Sequence, residues 1–409
     1  MAVLPDAHAV GVDRQRRLLA LLACPRCRAA LDRRRATERD GALVDADLRC
    51  ASCGDVGVVR AYRPSFHPAD LGDAWLPAGL AEAPVDLSAE PEKVGTWGDL
   101  PLGLLGSGIG ACVTGTTDAA GIVVTLGTHD WGAAALVSCG DEEHRIELYS
   151  VDPGTQRVVV AQPQLAGQSR RWSVVIAPGA SRGEWGERTQ AIVRSVSELV
   201  PADAAPPLVH RPSNRGNPYP PRLAELLADA PPDATVVDLG GGDRCHGDPR
   251  VLNFEYLHFD NADFFGDGLS LPIGDDSVDL LVSQAVLEHV PDPQRAVDEM
   301  RRVLRPGGRL YAEFAFMQPL HAVPYHFFNI TPHGASLLFD GWDVQHQRVF
   351  GGLATTMDWF FRLLGADRKI GEDRSRQVLD ALADLDSQLS PTELEFVASA
   401  VSVEALKPS

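Results

Sequence analysis

Four of the seven cysteines stand in two closely spaced pairs near the start of the 409-residue chain. Cys24 pairs with Cys27 and Cys50 with Cys53, which gives the pattern C-x2-C-x22-C-x2-C. Each C-x2-C turn directs two thiolates toward one point, and two such turns complete a tetrahedral zinc site. Because sulfur fills all four positions, the spacing predicts a structural zinc ion with no position for a catalytic water. A disulfide and a redox C-x-x-C are the alternatives, and the doubled pairs favour zinc.

A second chemical pattern follows an apolar run in the last third of the chain. Asp238 lies in a β-branched stretch that leads directly into Gly240, Gly241 and Gly242. This order is typical of a strand that enters a cofactor-binding loop, because glycine adopts dihedrals that a side chain forbids and lets the backbone approach a ligand. The loop alone is a weak signal, and the elements that follow it give it weight.

Side chains able to accept or hold a proton are concentrated further along the same region. The candidate catalytic residues are His289, His321, Tyr325 and His326. An imidazole with a near-neutral pKa could remove a proton from a substrate hydroxyl. Three histidines of this segment, with Glu313, could instead bind a metal, although no fixed ligand spacing supports that. An ordinary structural role for some of them is the third reading.

The elements that must position these residues alternate between strands and helices. Strands are predicted at 235–239, 256–259, 263–266, 277–283, 309–314, 342–350 and 399–406. Helices are predicted at 223–230, 293–304, 355–364 and 374–390. Such alternation predicts an α/β layer, whose strands end at a common edge where ligands bind.

The run VVDLGGGD, followed by GDGLSLPIGDDSVDLLVSQAVLEHVPDPQRAVDEMRRVLRPGGRLYAE, closely resembles class I S-adenosylmethionine-dependent methyltransferases. The resemblance spans Val236 to about Phe314. It implies a Rossmann-like domain with a seven-stranded sheet whose last strand is antiparallel, and S-adenosyl-L-methionine as cofactor. It assigns loop order to Asp238, passage of the methionine part to Gly240 and Gly242, the ribose hydroxyls to Asp260, the adenine amino group to Asp267 beside Gly268, and a place facing the cofactor to Gln284.

Two features depart from this family pattern. Arg244 stands where a third glycine is usual, so the loop is expected to approach the cofactor less closely. Only six residues separate Asp260 from Asp267, too few for the usual helix between the second and third strands. The sheet is therefore predicted to be trimmed between strands 2 and 3.

The cysteine pairs also lie in a recognisable context. The sequence LLALLACPRC before the first pair, and LRCASCG around the second, resembles the small zinc-ribbon activator subunits of methyltransferases. The resemblance implies a short helix and a small sheet. Residues 1–66 are therefore predicted to form a zinc-ribbon domain, fused to the chain rather than supplied by a partner.

The middle of the chain is predicted to be all-β. Strand-like runs separated by turn signals occur at 121–126, 131–139, 144–150, 157–161 and 171–176. They predict a β-sandwich over residues 67–205, which resembles the galactose-binding-like sandwiches. Sugar stacking or an ordinary core role is open to its aromatic residues, with the core role favoured: Trp131, Tyr149, Trp172 and Trp185. A proline-rich linker then leads into the third domain, 206–409.

Composition limits the partners. The net charge of −19 argues against a broad nucleic-acid footprint, since an acidic surface repels phosphate. Residues 1–63 carry +4, from 12 arginines and 8 acidic residues, and so differ from the remainder. No apolar run reaches the roughly 20 residues of a membrane helix, and no export signal is recognised. A cytoplasmic location without membrane contact is expected, and a homo-oligomer stays open.

These observations combine into one favoured hypothesis. The chain is expected to be a multidomain enzyme that methylates an O or N atom of a small-molecule or sugar-bearing acceptor, in specialised or cell-envelope metabolism. Methylation of RNA or protein is the first alternative, suggested by the likeness of the ribbon to activator subunits. A non-catalytic scaffold that binds S-adenosylmethionine is the second, suggested by Arg244.

Overall fold

The computed structural model describes residues 7–66, 79–88, 91–100, 103–129, 131–149, 154–179, 188–204, 218–242, 244, 247–256, 259, 261–321 and 326–409. The chain divides into two compact units. The first unit is Met1–Gln15 with Leu31–Val209, and the second unit is Arg16–Ala30 with His210–Ser409. The division into three domains at 1–66, 67–205 and 206–409 stays a prediction.

The first unit begins with an antiparallel meander of four strands. These are β1 (Leu31–Arg39), β2 (Ala42–Cys50), β3 (Gly54–Arg60) and β4 (Arg63–Ser65). Helix α1 (Ala7–Leu21) contributes Gln15, whose buried amide donates to the carbonyls of Leu43 and Tyr62, both at 2.7 Å, and accepts from the N–H of Leu43 at 2.8 Å. Because all its polar atoms are bonded, this amide can be buried at little cost and fixes Gln15 on the meander.

Nine further strands make up the rest of the first unit. They are β5 (Leu80–Pro84), β6 (Glu92–Leu100), β7 (Gly103–Thr117), β8 (Gly121–Thr128), β9 (Ala134–Cys139), β10 (Glu142–Glu147), β11 (Gly154–Ala161), β12 (Arg170–Ala177) and β13 (Gln190–Pro201). Their order is β10-β9-β12-β7-β13-β8-β11, with β6 added on β7 and β5 on β13. All pairs are antiparallel. One core holds side chains from β7, β9 and β12 as well as from β8, β11 and β13.

A common core between two groups of strands is the arrangement that a β-sandwich requires. The likeness to galactose-binding sandwiches stays a prediction. Trp172 is fully buried in this core, whereas Trp131 and Tyr149 are exposed. Trp185 lies outside the described residues.

The second unit is built on a seven-stranded sheet. Its strands are β14 (Val236–Leu239), β15 (Val251–Glu255), β16 (Phe264–Phe265), β17 (Val278–Gln284), β18 (Leu304–Ala315), β19 (Asp343–Phe350) and β20 (Ala400–Leu406). The order is β16-β15-β14-β17-β18-β20-β19, and only β20 runs antiparallel to its neighbours within this sheet. The seven strands and the antiparallel last strand match the prediction.

Helices surround the sheet of the second unit in sequence order. They are α2 (Pro221–Asp229), α3 (Pro293–Val303), α4 (Pro332–Leu338), α5 (Leu353–Leu364), α6 (Ala366–Ile370), α7 (Glu372–Asp386) and α8 (Pro391–Leu394). Helix α3 begins where Asp292 accepts a hydrogen bond from the N–H of Arg295 and Pro293 takes the first turn. None of the described helices combines the length and apolarity that crossing a membrane demands.

The second strand of this sheet is a correction to the sequence prediction. It was expected at 256–259, whereas β15 occupies Val251–Glu255. The buried run Val-Leu-Asn-Phe forms the strand, and the chain leaves the sheet at Glu255. The described residues between β15 and β16, which are 256, 259 and 261–263, include no helix, and this agrees with the predicted trimming.

Residues 16–30 belong to the second unit and contain the first cysteine pair. Leu18 and Leu21 lie in the main core of the unit. The N–H of Ala23 donates to the carbonyl of Pro272 at 3.0 Å, and the guanidinium of Arg28 bonds Glu299 at 2.8 Å. The segment carrying Cys24 is therefore fixed by both apolar packing and polar contacts.

Candidate active site

The glycine loop after β14 adopts the conformation that its sequence predicts. Gly240 and Gly242 have φ angles of +76° and +63°, which side chains other than glycine rarely adopt. A Cβ atom on Gly240 would lie 2.3 Å from Val286 Cγ2, so packing also requires glycine there. A Cβ atom on Gly242 would meet nothing within 4 Å. Gly242 therefore faces open space, where a ligand could approach the backbone.

Asp238 is completely buried and is held by two side chains. The hydroxyl of Tyr219 donates to Asp238 Oδ2 at 2.7 Å, and Arg244 Nη1 lies 3.2 Å from the same oxygen. The guanidinium of Arg244 also lies over the ring of Tyr219, 4.6 Å from its centroid, and its Nε donates to the carbonyl of Gly241 at 2.9 Å. Burial and the adjacent Asp238 carboxylate raise the pKa of Tyr219, so the phenol stays protonated and donates.

Glu255 is the carboxylate at the carboxyl end of β15. Its Oε1 accepts a hydrogen bond from the N–H of Gly242, and its Oε2 accepts one from Tyr256 at 3.2 Å. Burial raises the pKa of Glu255 to about 8. Asp260, which was expected at the tip of this strand, lies outside the described residues.

The remaining cofactor candidates lie on neighbouring connections. Asp267 Oδ1 accepts a hydrogen bond from the N–H of Leu269 at 2.8 Å, which closes a tight turn around Gly268. Gln284 is the last residue of β17 and pairs in register with Glu313 of β18. Its amide is buried and Nε2 donates to the carbonyl of Pro218 at 3.3 Å. The ends of adjacent parallel strands thus bring Asp238, Glu255 and Gln284 to one edge of the sheet, where α/β folds bind ligands.

Three histidines form a cluster beyond the ends of β17 and β18. The ring centroids of His321 and His326 are 4.3 Å apart, and that of His289 lies 5.0 Å from His321 and 5.7 Å from His326. Trp359 of α5 packs on His321 at 4.7 Å. Tyr325 lies outside the described residues.

Hydrogen bonds distinguish the roles open to these histidines. His321 Nδ1 is 2.9 Å from the carbonyl of Pro319, and since a carbonyl only accepts, Nδ1 carries the proton and Nε2 is the basic nitrogen. His326 accepts from the backbone N–H of His321 through Nδ1 and donates to the carbonyl of Phe328 through Nε2. Both ring nitrogens of His326 are therefore occupied by backbone contacts, which suits a positioning role better than proton transfer.

Glu288 precedes His289 in a short 3-10 helix, Leu287–His289, and was not among the predicted site residues. Its side chain is 1% exposed, and Oε1 accepts a hydrogen bond from the N–H of Ala315 at 3.1 Å. Burial raises the pKa of Glu288 to about 7. Just before the helix, Ala285 has a φ of +59°, a strained conformation of the kind found at functional sites.

The four predicted metal-ligating cysteines converge. One ligand atom from each of Cys24, Cys27, Cys50 and Cys53 lies within 4.8 Å of the others. In the first pair, the N–H of Arg28 donates to the carbonyl of Cys24 at 2.8 Å, and Arg28 has a φ of +68°. Such a turn aims two sulfurs at one point, and four thiolates match the donor set of structural zinc.

Sequence reasoning missed Tyr219, Glu255 and Glu288. Glu255 carried a usable signal, because it ends the apolar run Val-Leu-Asn-Phe in the same way that Asp238 lies at the end of β14. Glu288 stood beside the predicted His289, but an acid in a loop reads as solvated until its burial is known. Tyr219 lies in a proline-rich stretch, where the sequence gives no sign of a contact with Asp238.

Comparison with known proteins agrees with this geometry. The family model described as "Methyltransferase domain" matches residues 249–312. An uncharacterized methyltransferase of Mycobacterium sp. (strain KMS) is 61% identical over 41 residues, 10% of this chain and 16% of that protein. An uncharacterized methyltransferase of Mycolicibacterium vanbaalenii is 58% identical over a match covering 18% of this chain and 36% of that protein. The chain thus spans only a minor part of the curated relatives it matches.

Among solved structures, a SAM-dependent methyltransferase of Archaeoglobus fulgidus is similar to 46% of this chain and 91% of its own, with 15% identity and a TM-score of 0.31. This score is too low to carry an assignment, which depends instead on the family model and the mycobacterial relatives. The match at 249–312 runs from β15 into β18 and includes Glu255, Gln284 and His289. The second unit therefore contains a class I S-adenosylmethionine-dependent methyltransferase domain.

Proposed function

We propose that this chain transfers a methyl group from S-adenosyl-L-methionine to an O or N atom of a small-molecule or sugar-bearing acceptor, in specialised or cell-envelope metabolism. The observation that carries the proposal is the joint placement of the open glycine loop and Glu255 at one edge of the sheet. These residues fit the cofactor, because Gly242 leaves room for a ligand and Glu255 offers carboxylate oxygens beside it.

The residues of the sheet edge would divide the binding of the cofactor. Gly240 and Gly242 would pass its methionine part, and Glu255 would accept hydrogen bonds from the ribose hydroxyls, the role that the sequence assigned to Asp260. Asp267 and the backbone of Gly268 would hold the adenine, and Gln284 would face the cofactor from β17. When bound, the cofactor supplies an electrophilic methyl group on a sulfonium.

The histidine cluster would face the acceptor. His321 Nε2 is placed to receive the acceptor proton, since Nδ1 is held as a donor by Pro319. His289 would share the acceptor pocket, and His326 would keep the His321 backbone in place. Methyl transfer also proceeds by positioning alone, so the base raises the rate rather than making the reaction possible.

A structural zinc ion at Cys24, Cys27, Cys50 and Cys53 is the second part of the proposal. Two of the four thiols, Cys24 and Cys50, are fully buried, where a thiolate needs a cation to offset its desolvation. Four sulfur ligands leave no open position, so the metal would stabilise the fold and take no part in methyl transfer.

The test is cofactor binding measured by calorimetry on the full chain, followed by turnover against a panel of hydroxyl- and amine-bearing acceptors. We expect cofactor binding in the wild type and methylated product from at least one small acceptor. Glu395→Gln, an exposed carboxylate, is the matched control for variants of the site. Absence of cofactor binding by folded protein would refute the proposal, and binding without turnover across the panel would favour the scaffold.

RNA methylation is a second candidate, and one observation favours it. β1 carries three consecutive arginines, Arg33, Arg34 and Arg35, all of them exposed. Arginine on an exposed strand can contact phosphate, and such binding weakens steeply as salt rises. Salt-sensitive RNA binding that is lost when all three arginines become serine would support this candidate. Salt-insensitive or absent binding would remove it.

A further inference from the structure

We propose that Glu288, His289 and His321 form a second metal site, which binds a divalent transition-metal cation such as Mn²⁺ or Zn²⁺ on the acceptor side of the methyltransferase domain. One ligand atom from each of these three residues lies within 4.8 Å of the others. The inference extends the proposed function, because a cation there would bind the acceptor. It is separate from the four-cysteine cluster in both ligand type and residues.

The three donors come from the connections that follow two adjacent parallel strands. Glu288 and His289 follow β17, and His321 follows β18. Nitrogen and oxygen ligands of a tetrahedral zinc site are separated by about 3.4 Å, given metal–ligand bonds of about 2.1 Å. Donors already within 4.8 Å need only small side-chain rotations to reach that spacing.

The hydrogen bonds of His321 prepare it as a ligand. Its Nδ1 donates to the carbonyl of Pro319, which directs the lone pair to Nε2 and fixes the ring plane. Metal-ligating histidines commonly show this second contact, because it sets both the tautomer and the orientation. Trp359 packs against the ring, and the backbone N–H of His321 is bonded by His326 Nδ1.

Glu288 gives the independent observation that a cation is missing from this account of the protein atoms. Its Oε1 is bonded by the N–H of Ala315, but its buried Oε2 has no hydrogen-bond partner among the described residues. A buried oxygen without a partner costs free energy, and the cost is larger for a charged carboxylate. A bound cation beside the two histidines would satisfy this oxygen.

The ligand set indicates what the cation would do. Two imidazoles and one carboxylate leave coordination positions open, as in the 2-His-1-carboxylate sites of transition metals. A hydroxyl of the acceptor could occupy an open position, where the cation would lower its pKa and orient it. The inference therefore favours acceptors whose oxygen can bind a metal, such as a sugar diol or a phenol, over simple amines.

Binding of Mn²⁺ to the full chain, measured by electron paramagnetic resonance, tests the site. Mn²⁺ suits nitrogen and oxygen ligands and is disfavoured by four thiolates, so the cysteine cluster does not obscure the count. We expect about one Mn²⁺ per chain in the wild type and at least a tenfold weaker affinity in His321→Ala, the loss of about 1.4 kcal/mol or more expected when one ligand is removed. His333→Ala, which removes an exposed histidine of α4, should bind Mn²⁺ as the wild type does.

Two further measurements keep the outcome unambiguous. Glu288→Gln is the second variant, and a normal melting temperature in chelator confirms that each variant is folded. Cofactor affinity is measured on the same samples. Folded wild type that binds the cofactor but no Mn²⁺ or Zn²⁺ outside the cysteines overturns this inference alone, as does undiminished Mn²⁺ binding in both variants. Mn²⁺ binding without cofactor binding would instead count against the proposed function.

Discussion

Arg244 Nη1 lies 3.2 Å from Asp238 Oδ2, and both side chains are almost completely buried. Arg244 occupies the position where the family pattern has a third glycine. Rather than leaving the loop open, its guanidinium holds the acid that ends β14, lies over Tyr219 and bonds the carbonyl of Gly241. The departure from the pattern is therefore a contact that orders the cofactor loop from inside.

Removing this contact should cost both stability and cofactor affinity. In Arg244→Ala, Asp238 keeps the Tyr219 hydroxyl but loses its buried counter-charge, and breaking a buried ion pair costs about 3 to 5 kcal/mol. We expect a loss in the free energy of unfolding near the lower end, since the neighbouring loop can admit water. Urea unfolding with and without the cofactor measures both effects. Arg374→Ala, on the exposed face of α7, should change neither.

The position of Glu255 predicts which acid binds the ribose. Glu255 lies at the carboxyl end of β15 and accepts the N–H of the glycine loop, so Glu255→Gln should weaken cofactor binding by about tenfold or more, the value of one charge-assisted hydrogen bond. Asp260→Asn should have a smaller effect. Calorimetric titration of the two variants decides between them. A larger loss for Asp260→Asn would return the ribose role to the residue first predicted from the sequence.

The raised pKa of Glu255 predicts how stability depends on pH. Burial raises its pKa from 4.5 to about 8, so between these values the folded state holds a proton that the unfolded state releases. Because the folded state then binds more protons, the free energy of unfolding falls as pH rises, by up to about 1.4 kcal/mol per pH unit for this group. Glu288, with a pKa of about 7, acts in the same direction.

Thermal or urea unfolding at several pH values between about 5 and 8 measures this slope, on which other groups also act. Glu255→Gln should flatten it by about one proton, whereas Glu395→Gln should leave it unchanged. A slope in Glu255→Gln equal to that of the wild type would show that the carboxyl is ionised in the folded protein, contrary to its burial.

Sequence patterns predicted the second unit well because its strands are buried on both faces. A strand such as β17 reads as an almost continuous apolar run, which few other structures produce. The boundary error at β15 came from two overlapping candidates, Val251–Glu255 and residues 256–259, each ending in an acid. Only pairing with β14 selects the first, and pairing partners are not local in sequence.

The strands missed in the first unit have a different cause. β7 contains Gly103, Gly106 and Gly115, so its side-chain alternation is interrupted, yet it pairs with three strands. A Cβ atom on Gly115 would lie 2.6 Å from the ring of Trp172, so this glycine makes room for the buried tryptophan. Contacts of this kind decide whether a glycine belongs to a strand or a turn, and they are visible only after folding.

Replacing one cysteine of the cluster should remove the zinc and destabilise the fold around it. In Cys50→Ser, a buried thiolate of the four-sulfur set becomes a hydroxyl, which is a much weaker zinc ligand. We expect about one zinc per chain in the purified wild type, much less in Cys50→Ser, and a lower melting temperature that added zinc does not restore. Cys112→Ser, which changes a cysteine of β7 outside the cluster, should retain the metal. Elemental analysis and thermal unfolding on the same samples measure both quantities, and a wild type that loses no zinc and no stability on strong chelation would argue that the cysteines are free thiols.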